Sequence, residues 1–291
     1  MSESFEKISD LIIERDVSAK TLTTFKSGGT VKLVLFPTTP TALAEAIKQC
    51  EGKFVILGNG SNVLLPDGDY TTPLICTVKM RSVTFADGTV TAACGVNVTA
   101  FASKVASYSL EGFEFLYGIP GSVGGAVMMN AGAYGSCIAD VLNSVTVCSK
   151  TGELGILSAE ECDLSYRHSR FFQSEETVVS ATFNAKKGDP RLIKEKMEDL
   201  MAQRRSKQPL EYPSAGSYFK RPEGYFAGKL IEDAGLKSLR VGGAMVSEKH
   251  AGFIINYDNA STEDIIKLEE KVRKEVFEKF GVLLQCEVRK L

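Results

Sequence analysis

The sequence predicts an α+β protein in two parts, a larger region of two lobes (about 1–75 and 76–187) followed by a smaller α/β domain over 188–291. Segments with the apolar period of a helix alternate with short strand-like runs along the whole chain. Lys187-Gly188-Asp189-Pro190 marks a boundary, because Asp189 can cap a helix that has Pro190 in its first turn. With 291 residues, the chain is long enough for two or three domains of ~100–150 residues.

The elements follow in order. Phe5, Ile8, Leu11 and Ile12 recur at helical spacing and predict a short amphipathic helix over 3–15. Thr24 to Gly29 is a turn into a strand over Val31–Phe36. Thr39 then caps a helix that has Pro40 in its first turn and Leu43 and Ile47 inward. Phe54–Leu57 is a buried strand, giving β, α, β. Val63-Leu64-Leu65-Pro66 continues as strand, and Ile75–Ala93 holds strands divided by Asp87-Gly88. A helix from Asn97 turns Phe101, Val105 and Tyr108 inward. Strands are expected at Val141–Cys148 and Thr177–Phe183. The helix after Asp189 groups Leu192, Ile193, Met197, Leu200 and Met201 on one face. Tyr225–Ala234 is helical, and Gly242 to Asn256 mixes loop and strand. The clearest helix starts at Ser261 or Thr262, with Ile265, Leu268, Val272, Val276 and Phe280 in one stripe and Gly281 past its end. Val282–Val288 closes the chain as a strand.

The composition, 44% hydrophobic and 24% charged with a net charge of −2, is that of an ordinary soluble globule and argues against a nucleic-acid or membrane surface as main partner. No apolar run approaches the ~18 residues that span a bilayer, and the N-terminus is polar, so a cytoplasmic location is expected. The seven cysteines have no C-x-x-C spacing and the chain has only two histidines, His168 and His250. A zinc site, a disulfide framework and a Ser-His-Asp hydrolase are therefore not expected, so the chemistry has to come from other side chains or a cofactor.

Two glycine-bearing stretches stand out. Tyr117–Gly135, YGIPGSVGGAVMMNAGAYG, holds six of the 26 glycines and suggests serial tight turns against a flat or anionic group, or else close packing between elements. Gly58-Asn59-Gly60-Ser61-Asn62 lacks the third glycine of a dinucleotide fingerprint and leads into strand rather than helix. It reads as an anion loop working through its amides and Ser61 or Asn62, or as an ordinary hairpin turn.

These motifs, with TTFKSGG (23–29), LSYRHSRF (164–171), AGSYFKRP (215–222), AGKLIEDAGLK (227–237), KHAGFIIN (249–256) and CEVRKL (286–291), resemble in order those of the UDP-N-acetylenolpyruvoylglucosamine reductase (MurB) family. The resemblance covers nearly the whole chain. It implies an FAD-binding region of the vanillyl-alcohol-oxidase type (the PCMH-like fold) up to about Lys187, then a substrate domain whose final strand brings Glu287 back to the flavin. The implied reaction is NADPH-dependent reduction of the enolpyruvyl ether of a UDP-sugar, ping-pong on one flavin face. FAD is implied at Gly58, Asn59, Gly60, Ser61 and Asn62, and at Gly118, Ile119, Pro120, Gly121, Ser122, Gly124, Gly125, Ala126, Asn130, Ala131 and Gly132. Neither histidine lies in a flavin loop, so the FAD is expected to be non-covalent.

The implied catalytic residues suit the chemistry. Arg167 matches the arginine of Tyr-Arg-x-Ser, and a planar guanidinium binds a carboxylate that gains enolate character. Ser217 matches the proton donor for C2. Glu287 matches the second stabilising group; from an ordinary carboxyl pKa of about 4.3, it can donate a hydrogen bond only if its surroundings raise that value or a water intervenes. Substrate contacts are expected at Tyr166, Lys220, Lys249 and His250. Taken singly, Arg167 also reads as a surface ion-pair partner, Ser217 as a turn residue and Glu287 as a solvated strand residue. Lys26, Ser27 and Arg221 depart from the commonest family residues, and the short segment after Phe172 matches a subtype without an inserted tyrosine loop. A different flavin oxidoreductase on this scaffold and a catalytically silent UDP-sugar binding module are the competing readings.

Overall fold

The computed structural model describes residues 5–291. Leu11–Ser18 is strand β1, Ala19–Leu22 the single turn α1 and Thr30–Pro37 strand β2. Helix α2, Pro40–Gln49, starts where Thr39 accepts a hydrogen bond from the Ala42 amide at 3.2 Å, and Leu43 and Ile47 are fully buried. Short strands follow: β3 (Val55–Leu57), β4 (Val63–Leu64), β5 (Asp69–Tyr70) and β6 (Leu74–Cys76). β7 (Val83–Ala86) and β8 (Thr89–Ala93) pair across Asp87-Gly88. Asn97 caps helix α3 (Val98–Ser107), accepting from the Ala100 amide at 3.0 Å.

Strand β9 (Leu110–Glu111) and helix α4 (Val123–Met128) come next, then the hairpin β10 (Gly132–Ala133) and β11 (Ser136–Cys137). Strands β12 (Leu142–Cys148), β13 (Leu154–Ser158), β14 (Thr177–Asn184) and β15 (Lys186–Lys187) lead to helix α5 (Pro190–Lys207). Asp189 caps it, accepting from the Arg191 amide at 2.8 Å. The rest comprises helix α6 (Ala227–Asp233), strands β16 (Arg240–Val241), β17 (Ala244–Val246) and β18 (Ile254–Asn256), helix α7 (Thr262–Phe280) and strand β19 (Arg289–Lys290). Ser261 and Asp264 form a reciprocal capping box at the start of α7, and Gly281 follows its last residue at φ +68°.

Several expectations are corrected. The helix over 3–15 is not formed: residues 3 and 4 lie outside the described residues, and from Leu11 the chain is strand, the β-branched Ile12-Ile13 following Asp10 at φ +60°. Tyr108 is half exposed and stacks on Phe85 at 4.0 Å, because it falls at the end of α3 rather than within it. Leu192 is exposed, so the buried face of α5 is Ile193, Met197 and Leu200. The glycine stretch is not turns throughout, since α4 runs through its middle. Val282–Val288 is not a strand: Cys286 makes one isolated bridge to Phe219, and laddered pairing begins only at Arg289.

The chain divides into two compact units, and neither is contiguous. The first comprises 1–15, 33–59 and 72–203, of which 1–4 are outside the described residues; the second comprises 16–32, 60–71 and 204–291. The units therefore do not follow a division at 187/188. Asp189-Pro190 only opens α5, whose residues up to Gln203 belong to the first unit.

In the first unit, an antiparallel sheet has the order β13-β12-β14-β8-β7, with Val145 opposite Ala181 and Ala181 opposite Ala92. Its core is apolar and close-packed, with Phe101, Phe113 and Phe183 meeting at centroid distances of 5.2–5.9 Å. Parallel pairs Val34–Leu74 and Ile56–Ile75 form a second sheet. In the second unit, β16-β17-β18 is an antiparallel sheet backed by α7, whose Ile265, Leu268, Val272 and Val276 are fully buried. Asp67 caps the same helix, accepting from the Thr262 and Glu263 amides at 2.8 and 2.9 Å.

Candidate functional site

In the first unit, the glycine stretch is zipped onto residues 94–99. The Val98 amide donates to the Gly121 carbonyl, Val123 to Val96 and Gly124 to Cys94, at 2.8–3.0 Å. The Gly118 amide donates to Thr99 Oγ1, which donates to the Ile119 carbonyl. Ser122 caps α4 by accepting from the Gly125 amide. A Cβ on Gly58 would collide with the Ser122 hydroxyl, so the first loop and the head of α4 meet backbone to side chain with no room for a substituent.

The glycines do different work. A Cβ on Gly124 would stand 2.8 Å from Cys94 Cβ, whereas one on Gly125 would meet only Ser122 Oγ at 3.5 Å. Gly124 thus packs the helix down and Gly125 leaves an open face. Gly132 permits close approach to Cys137 across the β10–β11 hairpin. In the second unit, Gly60 has no space for a side chain against the Leu22 carbonyl.

Asn130, at φ +40°, donates to the Ser165 carbonyl at 3.0 Å and accepts from the Ala139 amide at 3.0 Å. Both ends of its amide are engaged, and Ser169, fully buried, donates to the Met128 carbonyl at 2.7 Å. These two bonds fix a two-residue turn in which Ser165 and His168 exchange backbone hydrogen bonds, with Tyr166 and Arg167 at its tip. Arg167 stands at φ +53°, 5.4 Å over the Tyr166 ring, and its guanidinium donates to the Gly132 carbonyl at 3.5 Å. Sequence reading found the turn's tip but missed its supports.

In the second unit, residues 217–220 run antiparallel to 285–288. Phe219 bridges Cys286, the Glu287 amide donates to the Tyr218 carbonyl at 2.9 Å, and the Lys220 amide donates to the Gln285 carbonyl at 2.8 Å. Ser217 and Glu287 therefore lie on facing segments. Ser217 is exposed between Gly216 and the buried Tyr218 and Phe219. Gly216 has φ +76° and open space around its missing Cβ, so it is the backbone conformation that requires glycine. Asn62 donates to the Glu287 carbonyl at 3.1 Å and its own carbonyl accepts from the Arg289 amide, so it clasps the Glu287 segment.

Of the expected substrate contacts, Tyr166 is exposed, and Lys249 is tied by its ammonium to the Arg205 carbonyl at 2.6 Å. His250 accepts from the Gly252 amide and faces Phe253; burial lowers its pKa from the ordinary histidine value. Phe25 of the first motif is buried edge-on to Tyr218 at 6.3 Å, and Ser27 accepts a hydrogen bond from the Thr262 hydroxyl, so that motif supports the second unit.

Compared with known proteins, residues 208–291 match the family model of the UDP-N-acetylenolpyruvoylglucosamine reductase C-terminal domain, and residues 31–158 match an FAD binding domain. The chain is 48% identical over 280 residues to the UDP-N-acetylenolpyruvoylglucosamine reductase of Clostridium novyi, covering 95% of this chain and 91% of that protein. The chain belongs to the UDP-N-acetylenolpyruvoylglucosamine reductase family. The reductase of Geobacillus thermodenitrificans is 46% identical over 278 residues, 94% of this chain and 91% of the other. The crystal structure of the Thermus caldophilus family member superposes with a TM-score of 0.83 at 32% identity, over 96% of this chain and 99% of that one.

The α+β architecture of this reductase family is thus present, with an FAD-binding region and the family's C-terminal domain. The residues of the first unit fit a flavin in one respect that can be tested on the structure. Gly58 has no room for a side chain against the Ser122 hydroxyl, and Gly125, which would meet only that hydroxyl at 3.5 Å, leaves its own face open. Among the described residues, no helix is long and apolar enough to cross a membrane, and no cluster of three or more His, Cys, Asp or Glu side chains could hold a metal.

Proposed function

We propose that this chain reduces UDP-N-acetylglucosamine enolpyruvate to UDP-N-acetylmuramate, with NADPH as the electron source, in the cytoplasm. The observation that carries the reading is the pairing of residues 217–220 with 285–288, which places Ser217 and Glu287 on facing segments of the second unit. Loop residues such as Gly58, Ser122 and Gly125 would hold FAD non-covalently, and the bound flavin would be the source of the hydride that C3 of the enolpyruvyl group takes up.

Arg167, at the tip of its fixed turn, binds the substrate carboxylate and carries the negative charge that grows on it as C3 gains hydride. Ser217 holds a proton for C2, and the flanking Gly216 turn exposes that hydroxyl. Glu287 supports the same carboxylate, either as the protonated acid or through a water. Hydride on C3 and a proton on C2 complete the lactyl ether. Tyr166, Lys220 and His250 orient the sugar nucleotide.

Anaerobic stopped-flow at 450 nm tests the reading. Flavin in the wild-type protein is reduced by NADPH and then reoxidised rapidly by UDP-N-acetylglucosamine enolpyruvate. Ser217→Ala keeps the first phase and slows the second by about 10²–10⁴. Reoxidation of Ser217→Ala at the wild-type rate would remove Ser217 from the mechanism.

A further inference from the structure

The apolar stripe of α7 carries one charged residue on its inward side, Glu269, which is 1% exposed. A buried carboxylate persists only when its lone pairs are filled. Here they are. Oε2 accepts from the Tyr218 hydroxyl at 2.9 Å and pairs with the Lys290 ammonium at 2.8 Å, while Oε1 accepts from the Cys286 thiol at 2.9 Å and lies 3.6 Å from the Arg273 guanidinium.

Two of these partners have a special place in the chain. Tyr218 directly follows Ser217, and Cys286 directly precedes Glu287. One carboxylate thus grips the two facing segments at the residues next to the two candidate catalytic groups, and through Lys290 it also holds β19. The backbone bonds between the segments are few: the Glu287 amide to the Tyr218 carbonyl and the Lys220 amide to the Gln285 carbonyl. The register of Ser217 against Glu287 therefore leans on the side-chain clamp.

We propose that Glu269 is a positioning residue for the reaction, setting the separation of Ser217 and Glu287 through Tyr218 and Cys286 without touching substrate. The inference rests on the reductase reading above. The charge state is consistent with it: burial opposes ionisation of Glu269, but the donors Cys286, Lys290 and Tyr218 together hold its pKa below the usual carboxylate value. Burial, reinforced by Glu269, pushes the Cys286 thiol up to about 12, and burial likewise raises Tyr218, so both remain donors at neutral pH.

Glu269→Gln keeps the shape but leaves one acceptor oxygen where four donors converge. The test follows both half-reactions by stopped-flow with wild-type protein and Glu269→Gln, both loaded with FAD. The expected result is unchanged reduction by NADPH with reoxidation by UDP-N-acetylglucosamine enolpyruvate slowed on the order of 10- to 100-fold, because small misplacements of reacting groups have effects of that size. Tyr218→Phe, which removes only the hydroxyl, slows the same phase, and adding it to Glu269→Gln costs less than the sum of the two, since both act on one cluster. Cys286→Ser, which keeps a donor, recovers most of what Cys286→Ala loses.

A merely structural role predicts equal loss in both half-reactions, and that outcome overturns the proposal. So does reoxidation of Glu269→Gln or Tyr218→Phe at the wild-type rate. A wild-type protein that the substrate does not reoxidise overturns the functional reading instead, so the two failures are distinct.

Discussion

The contact between Gly58 and Ser122 supports a quantitative prediction. Gly58 is not among the residues with positive φ, so alanine suits its backbone and the whole effect of Gly58→Ala is steric. Its Cβ would collide with Ser122 Oγ, while the next nearest atom, Ser122 Cβ, would sit at 3.4 Å in ordinary contact. Relief requires the hydroxyl to leave the Gly125 amide that it caps, or the loops to part. The first costs about 0.5–2 kcal/mol as a lost cap and the second about 1–3 kcal/mol as overpacking. Ser122→Ala alone loses only the cap, about 1 kcal/mol. In the double variant the obstructing atom is gone, so its cost should match Ser122→Ala rather than the sum, leaving a coupling of about 1–2 kcal/mol. Thermal unfolding reads this as a shift of roughly 2–4 °C per kcal/mol. Titration of apoprotein with FAD should show the same ranking in Kd if this wall faces the flavin. Additivity within about 0.5 kcal/mol would show that the two loops do not meet at these atoms and would sink the argument.

Two further outcomes are expected. Asp264→Ala removes both the capping box of α7 and the acceptor for the Gly243 amide, and should lower stability by about 1–2 kcal/mol at pH 7. Although burial opposes ionisation, the amides of Gly243 and Ser261 hold the Asp264 carboxyl below its ordinary value. Its contribution is therefore present above the unfolded carboxyl pKa and lost as pH falls through the lower folded one, so melting curves of wild type and variant should converge toward pH ~3. Burial raises the thiols of Cys50, Cys76, Cys148 and Cys162 to about 11 and of Cys94 and Cys286 to about 12. Iodoacetamide at pH 8 should then modify at most one thiol per native chain within the time that labels all seven in denaturant, as counted by mass.

Local signals in the sequence were reliable wherever one short-range interaction decides the structure. Thr39, Asn97, Asp189 and Ser261 all cap the helices expected of them, because a cap is made within three residues. The N-terminal segment failed because four apolar residues fit a helical period, while Ile12-Ile13 and the partner strand decided for β. Val282–Val288 alternates like a strand but finds only single bonds to 218–220, a partner that no local pattern reveals. Arg167, Ser217 and Glu287 were legible as motifs. Their supports are less so: beyond the flavin contact that the resemblance implies, Asn130 holds the loops around it with both ends of its amide. Glu269 did leave a trace, a carboxylate on the inward face of an otherwise apolar stripe, which is the pattern of a buried charge with partners waiting.

The second unit draws on 16–32, 60–71 and 204–291, and this has a consequence for how the chain is made. On the ribosome, Val63 and Leu64 emerge long before Arg289 and Lys290, the residues they pair with. At ordinary rates of synthesis the interval is on the order of 10–40 s. During that time Phe25 and Leu64 are apolar side chains without the core that later buries them. The first unit can complete its sheets once Gln203 has emerged, and the newborn chain then carries two unfinished segments until Arg289 and Lys290 arrive. Chaperone dependence in this protein should thus track the arrival of Arg289 and Lys290, and a ribosome stalled just short of Arg289 should hold the early segments open to protease.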